Sequence, residues 1–233
     1  MSLPEPVQRR DTVLDPWIDT YAERTHGLTV SAVRALFAVA NRPEVVSLAG
    51  GMPNIADLPR EAIGEAIAAL IRDRGAQAMQ YGSGQGEPFM REHITEVMAE
   101  EGIAAHPDDL VVSCGSQQAL DLVTRVFCDP GDVILAEAPS YVGALGTFQS
   151  YQAQVVHVAM DDDGLIPEAL VAAIDSCRAS GRRIKLLYTI PNFHNPAGVT
   201  LSDARRARIA EICRVVDGPV SAEVAAMDHA GMI

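Results

Sequence analysis

From about residue 105 onward, short apolar runs of strand length alternate with longer segments whose apolar positions recur at helical spacing. Residues 109–114 (Asp-Leu-Val-Val-Ser-Cys) are a β-branched run that predicts a strand. Gly115-Ser116-Gln117-Gln118 then turns the chain into residues 119–127, where the spacing predicts a helix. Asp129-Pro130-Gly131-Asp132 breaks that helix. Residues 133–136 predict a second strand, 141–150 a helix, and 153–158 a third strand ending at the turn Asp161-Asp162-Asp163-Gly164. Pro167 suits the first position of a helix over 168–178, residues 184–190 predict a fourth strand, and Ser202 is placed to cap a helix that opens at Asp203. Strands separated by helices, with nearly continuous apolar cores, predict an α/β fold with a largely parallel sheet covered on both faces. Ligands of such sheets bind outside the carboxyl ends of the strands. The N-terminal part differs: a helix over 29–40, a run at 45–49, a Gly-Pro-Asn loop, and two helices introduced by Pro59 and by Glu87-Pro88 predict an arm and a partial second layer.

Composition narrows the class. Of the 233 residues, 48% are hydrophobic and 21% charged, which excludes a disordered or collagen-like chain and leaves one large domain or two small ones. With 18 Lys+Arg against 31 Asp+Glu the net charge is −13, and no basic cluster extends into a patch, which argues against nucleic acid as a partner. No stretch approaches the roughly 18 uninterrupted apolar residues of a membrane span. Residues 28–40 end in Ala38-Val39-Ala40, superficially a signal-peptidase site, but Arg34 interrupts them and Asp11, Asp15, Asp19 and Glu23 precede them, so an amphipathic helix is expected. Cys114, Cys128, Cys177 and Cys213 form no C-x-x-C pair and have no histidine at metal spacing. They are expected to be reduced, mostly buried thiols of a cytoplasmic protein with no metal site. A single lysine, Lys185, is present, so lysine chemistry in these residues uses that one or none.

Three segments follow predicted strands at their carboxyl ends. Cys114-Gly115-Ser116-Gln117, at a strand-to-helix junction, is a candidate anion site, because free backbone N–H groups and the helix dipole favour a phosphate there; the alternative is that Ser116 caps its own helix. Ala138-Pro139-Ser140-Tyr141 sets an aromatic ring at the same sheet edge, either packed in the core or stacked on a planar ligand. Pro191-Asn192-Phe193-His194-Asn195-Pro196-Ala197-Gly198 is either an ordinary turn or a stiffened loop presenting a side-chain amide to a ligand oxygen. Gln80-Tyr81-Gly82 and Ala49-Gly50-Gly51-Met52-Pro53 add loops where glycine permits close backbone approach.

Each segment is ambiguous singly, but their order and spacing are not. Ser47-Leu48-Ala49-Gly50-Gly51-Met52-Pro53, Gln80-Tyr81-Gly82, Gly115-Ser116-Gln117-Gln118-Ala119-Leu120-Asp121-Leu122, Glu137-Ala138-Pro139-Ser140-Tyr141 and the Pro191 to Gly198 loop together resemble a fold type I pyridoxal-phosphate-dependent aminotransferase of class I/II, in its aminoadipate and MocR-like branch. The resemblance runs over residues 29–213. It implies pyridoxal 5'-phosphate as cofactor, with Ser116 and Gln117 on its phosphate, Tyr141 against the pyridine ring and Asn195 on the ring's phenolic oxygen. It further implies that Tyr81 reaches the phosphate of a neighbouring subunit in a homodimer, that Gly51 lies near the substrate carboxylate, and that an amino acid and a 2-oxo acid are the substrates. The implied division is an N-terminal arm and partial small domain over 1–75, a partial cofactor-binding large domain over 76–213, and an atypical tail over 214–233.

The sequence departs from that family after Asn195. The Asp-x-x-Tyr arrangement, the Ser-x-Ser-Lys segment carrying the Schiff-base lysine, and a later arginine for the substrate carboxylate do not follow. Lys185 begins the fourth predicted strand, toward the opposite end of the sheet from the expected cofactor, and is expected to be a solvated strand-edge charge. The 233 residues therefore read as an aminotransferase interrupted by truncation or a frame change, against the alternative of a genuinely shortened protein, inactive as written, with a strand edge and apolar helix faces left uncovered. The alternatives are a non-catalytic remnant that binds cofactor or phosphate, a lyase or decarboxylase on the same scaffold, and the effector domain of a MocR-like regulator.

Overall fold

The computed structural model describes residues 17, 20–25, 42, 45, 46, 55 and 57–215. The predicted helix over 29–40, most of the run at 45–49, the loop that carries Gly51, and the tail beyond 215 lie outside the described residues. Among the described residues no helix is long and apolar enough to cross a membrane.

Arg60–Ala78 (α1) and Pro88–Glu100 (α2) open as expected directly after Pro59 and at Pro88, and Ser116–Phe127 (α3) follows the Gly115 turn. Val133–Ala138 (β1) then enters the centre of a four-stranded sheet. Val142–Ser150 (α4) leads to Gln154–Asp161 (β2), which lies parallel to β1 with Val133 opposite Gln154 and Ala138 opposite Ala159. The two-residue strand Gly164–Leu165 (β3) folds back antiparallel onto the end of β2. Pro167–Ala179 (α5), with Pro167 at its first turn, carries the chain over the sheet to Ile184–Tyr188 (β4), parallel to β1 on its other side. Asp203–Val215 (α6) closes the described part. Strand order is β3-β2-β1-β4.

The pleat of β1 divides the core. Val133 and Leu135 point to a cluster with Leu170, Ile174, Ile209 and Ile212 of α5 and α6. Ile134 and Ala136 point the other way, to Leu120 of α3 and to Ala144 and Phe148 of α4. All four β1 residues are at most 2% exposed, so the strand is apolar on both faces because both faces are covered.

Three expectations need correction. Residues 109–114 are not a strand: Leu110 has extended backbone and the Val112 N–H bonds Gln85 O at 2.8 Å, but no strand pairs with this run among the described residues, and Val111 is exposed. A β-branched run becomes a strand only when a neighbour accepts its backbone hydrogen bonds. The third strand extends to Asp161 because β3 pairs with its last two residues. The fourth stops at Tyr188 because the next available N–H, that of Ile190, donates to the Glu137 carboxylate at 2.8 Å instead of to a strand. All four cysteines are free thiols, Cys128 and Cys177 buried, Cys213 half-buried and Cys114 exposed, in keeping with the expectation that most are covered.

Lys185 is not simply solvated. Its Nζ lies 3.9 Å from Asp132 Oδ2, at the amino ends of β1 and β4, where Arg183 also grips Asp132 through Nε at 2.7 Å and Nη2 at 3.0 Å. The end of the sheet opposite Asn195 is as expected; the ion pair is the addition.

Candidate functional site

Gly115 sits just ahead of α3 with φ 80° and ψ 165°, a conformation that side chains disfavour, and it lets the chain turn sharply into the helix. Ser116 is consequently the first helical residue, and no side chain caps this helix, so the reading of Ser116 as its own cap is overturned. The first-turn N–H groups of α3 point outward with the positive end of the helix dipole. No acidic residue lies in that turn to compete with an anion. The Gln117 side chain reaches across to α4, donating to Thr147 Oγ1 at 2.5 Å and to Gly143 O at 3.4 Å. That bridge fixes the start of α3 against the start of α4.

Tyr141 precedes α4 and is half-buried against the cluster of Ile134, Ala136, Phe148 and Tyr188. Its ring lies over Gly143 so closely that a Cβ at 143 would stand 2.5 Å from Tyr141 Cζ and 2.6 Å from its hydroxyl oxygen. Gly143 is thus required by the ring rather than by the backbone. Tyr188 packs edge-to-face on Phe148 with ring centroids 5.5 Å apart. Burial, followed by the nearby Tyr141 and Glu137, pushes the Tyr188 hydroxyl well above its ordinary pKa, keeping it neutral.

Below these rings lies a buried polar network at the carboxyl ends of β1 and β4. Glu137 Oε1 accepts from the Thr189 hydroxyl at 2.8 Å, and Oε2 accepts from the Ile190 N–H at 2.8 Å. His194 Nε2 stands 3.1 Å from the same Oε2, and both side chains are only 1% exposed. Burial raises the Glu137 carboxyl pKa, opposed by the Ile190 N–H, the Thr189 hydroxyl and His194. The Ser140 hydroxyl donates to the Glu137 backbone carbonyl, tying the Pro139 turn to the same point. The loop over residues 191–200 folds around His194, which donates its N–H to Val199 O at 2.8 Å and accepts at its own carbonyl from the Gly198 N–H. Asn195, next in the chain, is half-buried and makes no side-chain hydrogen bond among the described residues. Peptide bonds Ala138-Pro139 and Asn195-Pro196 are both cis.

Four sequence-predicted residues therefore occupy two adjoining rims of the sheet's carboxyl edge. Ser116 and Gln117 stand at the helix start joined to α4, and Tyr141 and Asn195 stand above the Glu137 network. Tyr81 stands apart, 99% exposed, in the loop between α1 and α2. Clefts of about 210 Å³ between α5 and α6 and about 200 Å³ between α1 and α2 lie away from these rims.

The model of the family described as aminotransferase class I and II matches residues 44–219, which contain all of these elements. The chain belongs to that family. Among curated class I and II aminotransferases, it is 38% identical over 198 residues to the aromatic-amino-acid aminotransferase 1 of Thermococcus litoralis, covering 84% of this chain and 48% of that protein. It is 34% identical to the 2-aminoadipate transaminase of Thermus thermophilus, covering 78% of this chain and 43% of the relative. A crystal structure of Pyrococcus horikoshii kynurenine aminotransferase in complex with PMP superposes with a TM-score of 0.79 at 32% identity, over 86% of this chain and 50% of that one. The fold is accordingly the fold type I α/β arrangement of these aminotransferases. The chain spans about half the length of the curated relatives it matches.

Sequence reasoning gave the aminotransferase motifs but assigned no role to Glu137, His194, Gly143 or Thr147. A signal for Glu137 was present. A carboxylate directly after the run Val133-Ile134-Leu135-Ala136 continues a buried strand, and a buried carboxylate needs partners. Nothing in the sequence marks Thr147, whose bond from Gln117 arises only when α3 and α4 meet, or Gly143, which is needed only because the Tyr141 ring folds back over it.

Proposed function

We propose that this chain binds pyridoxal 5'-phosphate at the carboxyl edge of its sheet, as the cofactor-holding part of an aminotransferase that moves an amino group between an amino acid and a 2-oxo acid. The observation that carries the reading is the convergence there of three unlike groups suited to three parts of that molecule. The start of α3 offers backbone N–H groups to a dianionic phosphate, with Ser116 and Gln117 in the first turn. The Tyr141 ring offers a flat apolar face for the pyridine ring. Asn195 offers an amide that can donate to the phenolic oxygen without transferring a proton. The cofactor, when bound, supplies the electron sink for a substrate carbanion.

The chain's own residues bind and orient. Gln117 holds the helix start in place through Thr147, and the Tyr141 ring excludes water from one side of the site. Lys185 stands with Asp132 at the far ends of the strands, so it supplies no amine to the site. Gly51 is proposed to lie near the substrate carboxylate, and Tyr81, fully exposed, to meet the phosphate of a second copy in a homodimer. Residues 76–213 form the cofactor-binding part, and 1–75 the arm and part of a second domain. A cytoplasmic location is part of the same reading, and the free thiols support it.

Titration of the chain with pyridoxal 5'-phosphate, followed by absorbance, tests this. Saturable binding is expected, weakened about tenfold or more by Asn195→Ala or Tyr141→Ala. Borohydride reduction followed by peptide mapping is expected to leave Lys185 unmodified. Absence of saturable binding overturns the proposal, and a pyridoxyl adduct on Lys185 overturns the placement of that lysine outside the site.

A further inference from the structure

We infer that Glu137 and His194 form a buried latch that positions Asn195: His194 is the fixed point of the loop over 191–200, and Glu137 is the anchor in the sheet that holds it. The inference rests on the cofactor reading, since it assigns these residues their purpose through Asn195. Neither is a catalytic residue. Both are positioning residues.

Glu137 is rooted in β1, the central strand, and its side chain is completely covered. Thr189 and Ile190 each donate to one of its oxygens, so the carboxylate cannot rotate without breaking two hydrogen bonds from the exit of β4. His194 Nε2 lies 3.1 Å from the oxygen shared with Ile190, an ion-pair contact that is not aligned as a hydrogen bond, and this buried ring nitrogen has no other polar partner among the described residues. The other ring nitrogen faces the Ala197 N–H at 3.3 Å; with that N–H as donor, Nδ1 is the acceptor and the ring proton belongs on Nε2, toward Glu137. The ring thus connects the sheet to the far side of its own loop. Flanking residues show what it organises. Phe193 is at φ 47° and exposed, while His194 turns inward, so Asn195 is presented at half-burial between a fixed histidine and Pro196. A carboxylate buried this deeply costs stability unless satisfied, so its placement beneath a loop with an unengaged amide points to orientation rather than to packing.

Positioning through Asn195 makes a prediction that simple stability does not. In the full chain, His194→Leu is expected to raise the pyridoxal 5'-phosphate dissociation constant about tenfold, the range of one oriented hydrogen bond. His194→Gln, which keeps a donor toward Glu137, is expected to restore most of the affinity. In an Asn195→Ala background His194→Leu is expected to change binding less than twofold, because the group it orients is gone. Amide hydrogen exchange of residues 193–199 without cofactor gives an independent reading: faster exchange in His194→Leu and near wild-type exchange in His194→Gln support the latch. Equal effects of His194→Leu with and without Asn195, in variants whose circular dichroism is native, overturn it. If the wild-type chain binds no cofactor the functional reading fails by itself, and the latch is then overturned by unchanged loop exchange in His194→Leu. Glu137→Leu should mimic His194→Leu in the exchange measurement, and slow exchange there overturns the anchor assignment.

Discussion

At the scale of single residues, Gly143 shows how closely the site is drawn. The Tyr141 ring occupies the space where a Cβ would be, and the same glycine's carbonyl accepts from Gln117 and from the Thr147 hydroxyl at 3.1 Å. Gly143→Ala leaves the helical backbone of α4 undisturbed, since alanine is favoured in helices, and it displaces the ring instead. The expected result is an unchanged or slightly raised melting temperature together with about tenfold weaker pyridoxal 5'-phosphate binding, matching Tyr141→Ala. Calorimetric titration beside a thermal melt checks this, and wild-type affinity in Gly143→Ala would show that the ring's placement is immaterial. The places of Ser116, Tyr141 and Asn195 at the carboxyl edge of the sheet were legible because each follows a strand or opens a helix, where chain position alone implies that edge. Gly143 was not, because its constraint is a side chain two residues away that folds back over it.

At the scale of elements, periodicity located α3 and α4 to within a few residues, and Pro167 and Ser202 marked the starts of α5 and α6, because these four helices bury apolar residues against the sheet, whereas α1 and α2 were marked only by the prolines that open them. The strands were legible only where a neighbour exists. Residues 133–136 pair on both sides, whereas 109–114, with as many β-branched residues, pair with nothing described and stay irregular. The same dependence on neighbours appears at the sheet's amino end, where Asp132, 4% exposed, holds β1 and β4 in register through Arg183. Burial favours the neutral acid, but the Arg183 hydrogen bonds and the Asp129 N–H at 2.8 Å outweigh it and hold the carboxyl below its ordinary pKa. A lowered folded value means that folding favours the ionised form. The stabilisation is therefore complete above the unfolded value, about pH 4, and is lost as pH falls through the folded one. Urea melts between pH 6 and pH 2.5 are expected to show this acid-side loss in the wild type and a shallower one in Arg183→Leu. An identical pH slope in the two proteins would remove Arg183 as the cause.

At the scale of the whole molecule, the distribution of apolar surface is uneven. The faces toward the sheet are closed, yet α1 has no buried residue and carries Ile63, Ile67, Leu70 and Ile71 on one exposed stripe. Val126 and Phe127 at the end of α3 are at least 50% exposed. An exposed stripe of this kind favours association with a second copy, and the fully exposed Tyr81 lies three residues beyond α1. A net charge of −13 opposes that association, since two copies repel over roughly the 10 Å Debye length of 0.1 M salt. Apolar attraction is barely screened by salt, whereas the repulsion is. Self-association measured by sedimentation velocity is accordingly expected to strengthen as ionic strength rises from 0.02 to about 0.5 M. An interface held by ion pairs would weaken over the same range. Ile67→Glu with Ile71→Glu places charge in the middle of the stripe and is expected to leave the chain monomeric at both salts, with its melting temperature little changed because neither side chain is buried. Association that survives this pair of substitutions, or that falls with salt, would assign the contact to another surface.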